Sequence, residues 1–216
     1  MSITTYTELK TAVADHLRRS DLTAVIPDLI TLAESRLNRK LRALFMEQTA
    51  ALTASVGSRV VALPSRFLEA ISLRLTIAGQ EEQLTPKSSV EMDAIIGTVN
   101  AVPNYYTANS QIEFDVPADS AYALTLRYYK RLDIATDTTN ELLTSDPDIY
   151  LYSSLLAATL YLKNDARIPL WKQAVDEFIE EANDVAAKTR SQALMSVDIG
   201  LAGVGGFNIN TGDSRR

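Results

Sequence analysis

Residue types that carry out acid–base and nucleophilic catalysis are scarce in this sequence. It contains a single histidine, His16, and no cysteine. A serine–histidine–acid triad, a two-histidine zinc site or a histidine general base would have to use His16 or be absent. His16 lies in a predicted amphipathic helix, away from any glycine turn, which favours a surface or helix-packing role. The lack of cysteine excludes disulfides and thiolate metal sites.

Paired carboxylates offer another route to acid–base chemistry. Glu81–Glu82 falls in a predicted turn and Glu180–Glu181 on the polar face of a predicted helix, so charge for solubility explains both pairs. Asp146 and Asp148 flank Pro147 at a predicted helix start, where carboxylates cap backbone N–H groups. A divalent cation there is the alternative, but it needs more ligands than these residues provide. We therefore predict no catalytic residue and no metal site.

Glycine-rich phosphate and nucleophile motifs are absent as well. The sequence contains neither Gly-x-x-x-x-Gly-Lys-Ser/Thr nor Gly-x-Ser-x-Gly. The glycine cluster Gly200–Gly206 follows a long predicted helix rather than a strand, so it is not placed as a dinucleotide loop is. We expect a protein without a cofactor that is not an enzyme.

Positive charge is concentrated on the second predicted helix. Its outer sector carries a basic face formed by Arg36, Arg39, Lys40 and Arg42. One interpretation is a solvated face whose positive charge balances the negative charge of the acidic last helix. The other is a surface that meets acidic partner subunits or passing DNA. A formal net charge of -6 argues against a dedicated nucleic-acid binder, which is usually basic over its domain.

The composition is that of an ordinary globular protein. Its 216 residues, 46% of them hydrophobic and 22% charged, suffice for one large domain or two small ones. No apolar run is long enough for a membrane span. The segment Met1–Thr5 lacks the basic region and apolar core of a signal peptide, so we expect synthesis in the cytoplasm.

Helical periodicity opens the chain. Thr5 and Glu8 have the spacing of a capping box, which predicts a helix from there to about Arg19. A second helix is predicted from Ser20–Asp21 to about Leu44. Its inner face is a stripe of apolar residues spaced by threes and fours, namely Ile26, Leu29, Ile30, Ala33, Leu37, Leu41 and Leu44.

The middle of the chain changes to a period of two. Apolar and polar residues alternate along Ile71–Ile77, Ile112–Val116 and Leu124–Tyr128, as they do in half-buried strands. Thr49–Val56 and Arg59–Leu63 are weaker strand candidates. The connections are too short for helical crossovers throughout, which favours antiparallel pairing.

Helical periodicity returns after Thr144. A helix predicted from Asp148 to about Lys163 is apolar on nearly every side, so other helices or subunits should surround it. A last helix is predicted from about Arg167 to Leu194, with an acidic outer face. The predicted core of these two helices consists of Ile149, Tyr152, Leu155, Leu156, Trp171 and Phe178.

Residues 196–216 differ from the rest of the chain. They contain five of the eight glycines, yet apolar residues persist among them, which a plain disordered tail would lack. Spaced apolar anchors on a flexible segment favour ordering on a partner over an indifferent frayed terminus. The predicted partner-binding residues are Ile199, Leu201, Val204, Phe207 and Ile209.

Two segments carry a family resemblance. The first is Leu142–Ala158, which reads Leu-Leu-Thr-Ser-Asp-Pro-Asp-Ile-Tyr-Leu-Tyr-Ser-Ser-Leu-Leu-Ala-Ala and continues through Tyr161–Arg167 to Trp171. The second is Leu63–Glu69, with the sequence Leu-Pro-Ser-Arg-Phe-Leu-Glu. In order and spacing these packing motifs, with the N-terminal helix pair, resemble the head-to-tail adaptor (connector) proteins of tailed bacteriophages.

The predicted fold class is α+β. We expect mainly a helical bundle of four long helices with a central antiparallel β-rich insertion and an extended C-terminal tail. Residues 1–47 and 141–195 would supply the helices of the bundle. Residues 48–140 would form the insertion, and residues 196–216 a flexible partner-binding tail.

The resemblance implies a virion protein at the head–tail junction. Identical subunits would form a dodecameric ring beneath the portal protein, extend the channel through which DNA passes and contact tail or nozzle proteins. The core of the last two helices would then belong to the ring wall, and the C-terminal tail would lie along the portal. We expect a monomer in isolation. The alternatives are another neck or minor tail protein, or a virion-associated hydrolase that uses Glu81 or Asp146.

Overall fold

The described part of the chain begins and ends in helices and forms strands between them. The computed structural model describes residues 3–162 and 166–197. One buried apolar core is made mainly by the helices and a second one by the strands. The partner-binding residues predicted in the C-terminal tail lie outside the described residues.

Two helices form the N-terminal part, α1 over Tyr6–Leu17 and α2 over Ile26–Lys40. The predicted capping box is confirmed, because the Glu8 N–H donates to Thr5 Oγ1 and the Thr5 N–H donates to the Glu8 carboxylate. Helix α2 begins later than predicted, since Ser20–Leu22 forms a separate 3₁₀ turn.

Eight strands follow and form two four-stranded sheets. They are β1 (Glu47–Ala54), β2 (Val60–Val61), β3 (Phe67–Ile77), β4 (Gln80–Gln83), β5 (Thr85–Pro86), β6 (Tyr105–Ala108), β7 (Ile112–Phe114) and β8 (Tyr122–Lys130). The first sheet has the order β1-β8-β3-β4 and the second the order β2-β7-β6-β5. Helix α3 (Ser89–Ile95) lies between β5 and β6 in the chain. All five segments predicted as strands fall on strands of the structure.

The two sheets share the second apolar core. Leu73 and Leu75 of β3 are buried there, whereas Arg74 between them is exposed, as the period of two requires. Phe114 of β7 contributes to the same core from the other sheet. Packing between the sheets therefore depends on the alternation that the sequence shows.

Three helices complete the described chain. They are α4 (Glu141–Ser145), α5 (Pro147–Ala157) and α6 (Ile168–Val197). No residue of α5 is exposed to solvent, and α1, α2 and α6 all pack against it. The prediction that other helices surround this apolar helix is confirmed.

The prediction of a mainly helical bundle of four long helices is wrong. Within the described ranges the chain forms six α-helices and two sheets, and only α6, with 30 residues, is long. Helix α5 is shorter than predicted, because the chain tightens into a 3₁₀ turn at Ala158–Tyr161. Antiparallel pairing also fails at one place, where β5 and β6 run parallel.

A buried polar network joins α2 to α5. Glu34 of α2 is 7% exposed, and its Oε1 accepts hydrogen bonds from the Tyr150 hydroxyl at 2.8 Å and the Ile134 N–H at 2.7 Å. The Asn140 side chain donates in turn to the Tyr150 hydroxyl at 2.7 Å. Burial raises the pKa of Glu34 above its ordinary value and also raises the pKa of Tyr150.

Substitution of Glu34 tests this network. Glu34→Ala leaves the Tyr150 O–H and the Ile134 N–H without their acceptor, so we expect a loss of about 2–4 kcal/mol in the free energy of unfolding. Glu34→Gln keeps an acceptor and should cost less. The measurement is urea unfolding followed by circular dichroism, with the exposed Glu82→Gln as the control.

The same variants give a pH test. Because the pKa of Glu34 is raised in the folded protein, its contribution to stability is present below the unfolded value and is lost as pH rises. The stability of the wild type relative to Glu34→Gln should therefore fall from about pH 4.5 towards neutrality. A constant difference across this range would contradict the raised pKa.

Candidate functional site

The basic face of α2 meets the acidic helix α6 inside the same subunit. The Asp176 carboxylate of α6 accepts from Arg36 Nη2 at 3.0 Å and from Lys40 Nζ at 3.1 Å. These hydrogen bonds, the one from Lys40 above all, lower the pKa of Asp176. Two of the four residues of the basic face therefore form ion pairs with the last helix.

A third residue of the basic face, Arg42, connects the helices with the first sheet. Its Nε lies 2.8 Å from Glu69 of β3, and Arg190 of α6 pairs with Glu47 of β1 at 2.8 Å. The two guanidinium groups lie 5.6 and 5.4 Å from the ring centroid of Tyr129, within the range of a cation–π contact. Helix α6 is thus held to the sheet as well as to α2.

The fourth residue, Arg39, behaves differently. It is exposed, and within residues 3–162 and 166–197 its side chain forms no hydrogen bond or ion pair. Arg39 lines a groove between α2 and α5, together with Leu32, Arg36 and Ser153. This is the part of the basic face that remains available to a partner.

An acidic cleft opens where the start of α5 meets α6. It has a volume of about 500 Å³ and is lined by carboxylates of Glu141, Asp146, Asp148 and Glu181, with Phe178 among the apolar residues of its wall. Burial, with the nearby Asp148, raises the pKa of Asp146. Among the described residues no group of three or more His, Asp or Glu side chains is arranged to hold a metal ion.

The other residues considered for catalysis lie apart from this cleft. His16 is exposed on α1, as predicted, and its Nδ1 lies 2.8 Å from the Ala12 carbonyl oxygen of the same helix. Glu81 and Glu82 are exposed on β4 rather than in a turn, and Glu81 pairs with Arg74 at 3.2 Å.

The predicted core of the last two helices is brought together. Ile149, Leu155 and Trp171 are buried in the helical core. Tyr152, Leu156 and Phe178 are half-buried and pack against it, and the rings of Tyr152 and Phe178 lie 6.0 Å apart. Each of these residues packs within the described subunit.

A family model described as SU10 adaptor protein matches residues 4–198 of the chain. The chain belongs to the SU10 adaptor protein family. It is therefore a phage adaptor protein, a virion component that interacts with other head or tail proteins. The resemblance seen in the sequence is confirmed at this level. A comparison with curated proteins gives no match, and no helix in the described part of the adaptor is long and apolar enough to cross a membrane.

Sequence reasoning missed polar residues that position the helices of the adaptor. Asn183 of α6 bridges the end of α2, because its Oδ1 accepts from the Arg42 N–H at 2.7 Å and its Nδ2 donates to the Lys40 carbonyl at 3.0 Å. The Asn38 side chain similarly donates to the Leu132 carbonyl oxygen and accepts from the Leu132 N–H. Periodicity places such residues on a face, but it does not tell which polar side chain meets a helix end.

Replacing Asn183 tests how the adaptor fixes α6. Asn183→Ala removes two hydrogen bonds to the end of α2, so we expect a loss of about 1–2 kcal/mol in the free energy of unfolding. Gln173→Ala, at an exposed position of the same helix, is the matched control and should change stability little. Equal unfolding curves for the two variants would show that this bridge contributes nothing.

Proposed function

We propose that this adaptor assembles as a ring beneath the portal protein of a tailed phage. Membership of the adaptor family over residues 4–198 is the observation that carries the proposal. The ring extends the channel through which DNA leaves the head and offers a docking surface to tail or nozzle proteins. Its function rests on the burial of surfaces between subunits rather than on catalysis.

Exposed apolar side chains in the β-rich part support a docking role. Val90 on α3 is 80% exposed, and Val99 in the following loop is 76% exposed. Ile95 and Ile96 lie between them and are exposed too. Apolar residues grouped in this way mark interaction surfaces, whereas singly scattered ones are ordinary. We therefore propose that this stretch contacts neighbouring subunits or tail proteins.

The charge of the chain fits the passage of DNA without tight binding. A net charge of -6 limits non-specific attraction to the phosphate backbone. On the basic face, Arg36 and Lys40 already pair with Asp176, so attraction from this face is local. We propose that DNA passes through the channel without specific binding to the adaptor.

Residues 196–216 are the proposed portal-binding segment. Their glycines allow the backbone to follow a partner surface, and Ile199, Leu201, Val204, Phe207 and Ile209 supply apolar anchors. The segment would become ordered, and lose its conformational entropy, only when it binds the portal. We therefore propose that the adaptor is a monomer in isolation and forms the ring on the portal.

Electron microscopy of the adaptor mixed with the portal of the same phage tests the ring. We expect a ring of dodecameric symmetry on the tail-facing side of the portal, and native mass spectrometry should show a monomer without it. A stable ring in the absence of the portal would contradict the proposed assembly route. Cross-links to a tail-tube protein instead of the portal would favour another neck or minor tail role.

Truncation tests the tail. Removing residues 196–216 should leave a folded monomer, by circular dichroism, but abolish its co-sedimentation with the portal. A full-length variant with serine at the five anchors Ile199, Leu201, Val204, Phe207 and Ile209 keeps length and glycines, and it should also fail to bind. Binding at wild-type level by either variant would overturn the role of the tail.

A further inference from the structure

The groove between α2 and α5 is lined by both polar and apolar side chains. It has a volume of about 250 Å³ and is lined by Leu32, Ala33, Arg36, Arg39, Ser153, Leu156, Ala157 and Thr159. Leu32 is 52% exposed at its edge, although it is a large apolar side chain. The groove therefore combines exposed apolar surface with two guanidinium groups.

Two buried atoms of residues that line this groove make no hydrogen bond to any residue that the structure describes. They are Arg36 Nε and Ser153 Oγ, and Ser153 as a whole is only 1% exposed. An arginine Nε–H can only donate, and burying such a group without an acceptor is unfavourable. Arg39 beside them is a cation without a described partner. A carboxylate that enters the groove would pair with Arg39 and place negative charge beside the Arg36 guanidinium.

A matching ridge of carboxylates lies on the outer face of α6. Glu177, Glu180, Glu181 and Asp184 are exposed and form no ion pair within the described part of the chain. Their spacing of three and four residues places them on one side of the helix, where the like charges repel one another. Val185 next to this ridge is 59% exposed. Cations and apolar surface supplied by another molecule would therefore stabilise these carboxylates and cover Val185.

We propose that a second copy of this chain seats the acidic ridge of its α6 in the groove between α2 and α5. The inference rests on the proposed ring and names its subunit contact. A convex helix fits between two helices as ridges fit into grooves. Carboxylates of the ridge pair with the exposed Arg39 and lie near the partly exposed Arg36 guanidinium, and Leu32 of one copy packs near Val185 of the next.

The two surfaces share no residue, which decides the kind of symmetry. The groove is formed by α2 and α5, and the ridge by the outer face of α6. An interface between two different surfaces is heterologous, so each copy can bind one neighbour with its groove and another with its ridge. Repetition of this contact closes the proposed ring when the rotation from one copy to the next divides a full turn, and it gives an open filament otherwise.

Charge reversal on the portal-assembled ring tests the contact. Arg39→Glu and Glu180→Arg should each weaken ring formation by about tenfold or more, because each places like charges at the interface. The double variant restores opposite charges at every contact and should recover rings seen by electron microscopy. Arg127→Glu, at an exposed position of β8, changes the net charge equally and should assemble as the wild type does.

The outcomes separate this contact from the ring itself. If the wild-type adaptor forms no ring on the portal, the proposed function fails and this contact fails with it. If the wild type forms rings and Arg39→Glu forms them equally well, only the contact is overturned. Loss in both single variants without recovery in the double variant also overturns it. Loss of assembly in Arg39→Glu alone would assign the groove to the portal.

Discussion

Helix α5 is packed between three other helices, and their arrangement follows from its burial. Every residue of Pro147–Ala157 is buried or half-buried, so the helix needs apolar neighbours around its whole circumference. The polar groups that it carries inside must also be satisfied. Ser154 donates to the Tyr150 carbonyl, and the Tyr150 hydroxyl reaches Glu34. Helices α1, α2 and α6 cover its apolar side chains, and Glu34 of α2 also satisfies the Tyr150 hydroxyl.

Polar contacts then fix how α6 lies against its neighbours. Asp176, Asn183 and Arg190 are seven residues apart, close to two helical turns, so they fall on one side of α6. That side binds Lys40 at the end of α2 and Glu47 at the start of β1. Because these contacts set the register of the long helix, its outer carboxylates are held at defined positions on the surface of the adaptor.

Local patterns explain which parts of the fold were predictable. The capping box at Thr5 and the alternation along Ile71–Ile77 depend on neighbouring residues, and both were found. Strand β4 was missed because all four of its residues are exposed, which leaves no alternation. Glu34 was missed because a buried acid beside an apolar stripe looks like an ordinary surface residue until its distant partners are known. The sequence likewise does not distinguish Arg39 from Arg36. Only the structure shows that Arg36 pairs with Asp176 of α6 and that the Arg39 side chain stays exposed.

The helical core is assembled from the two ends of the chain, and this has a consequence for the order of events during synthesis. Glu34 and Tyr150, which bond directly, are 116 residues apart in sequence. The strands between Glu47 and Lys130 leave the ribosome before α5 and α6 exist, so the sheets can fold while α1 and α2 still lack their partners. A nascent polypeptide therefore has neither the groove nor the acidic helix. Only a finished chain presents both surfaces.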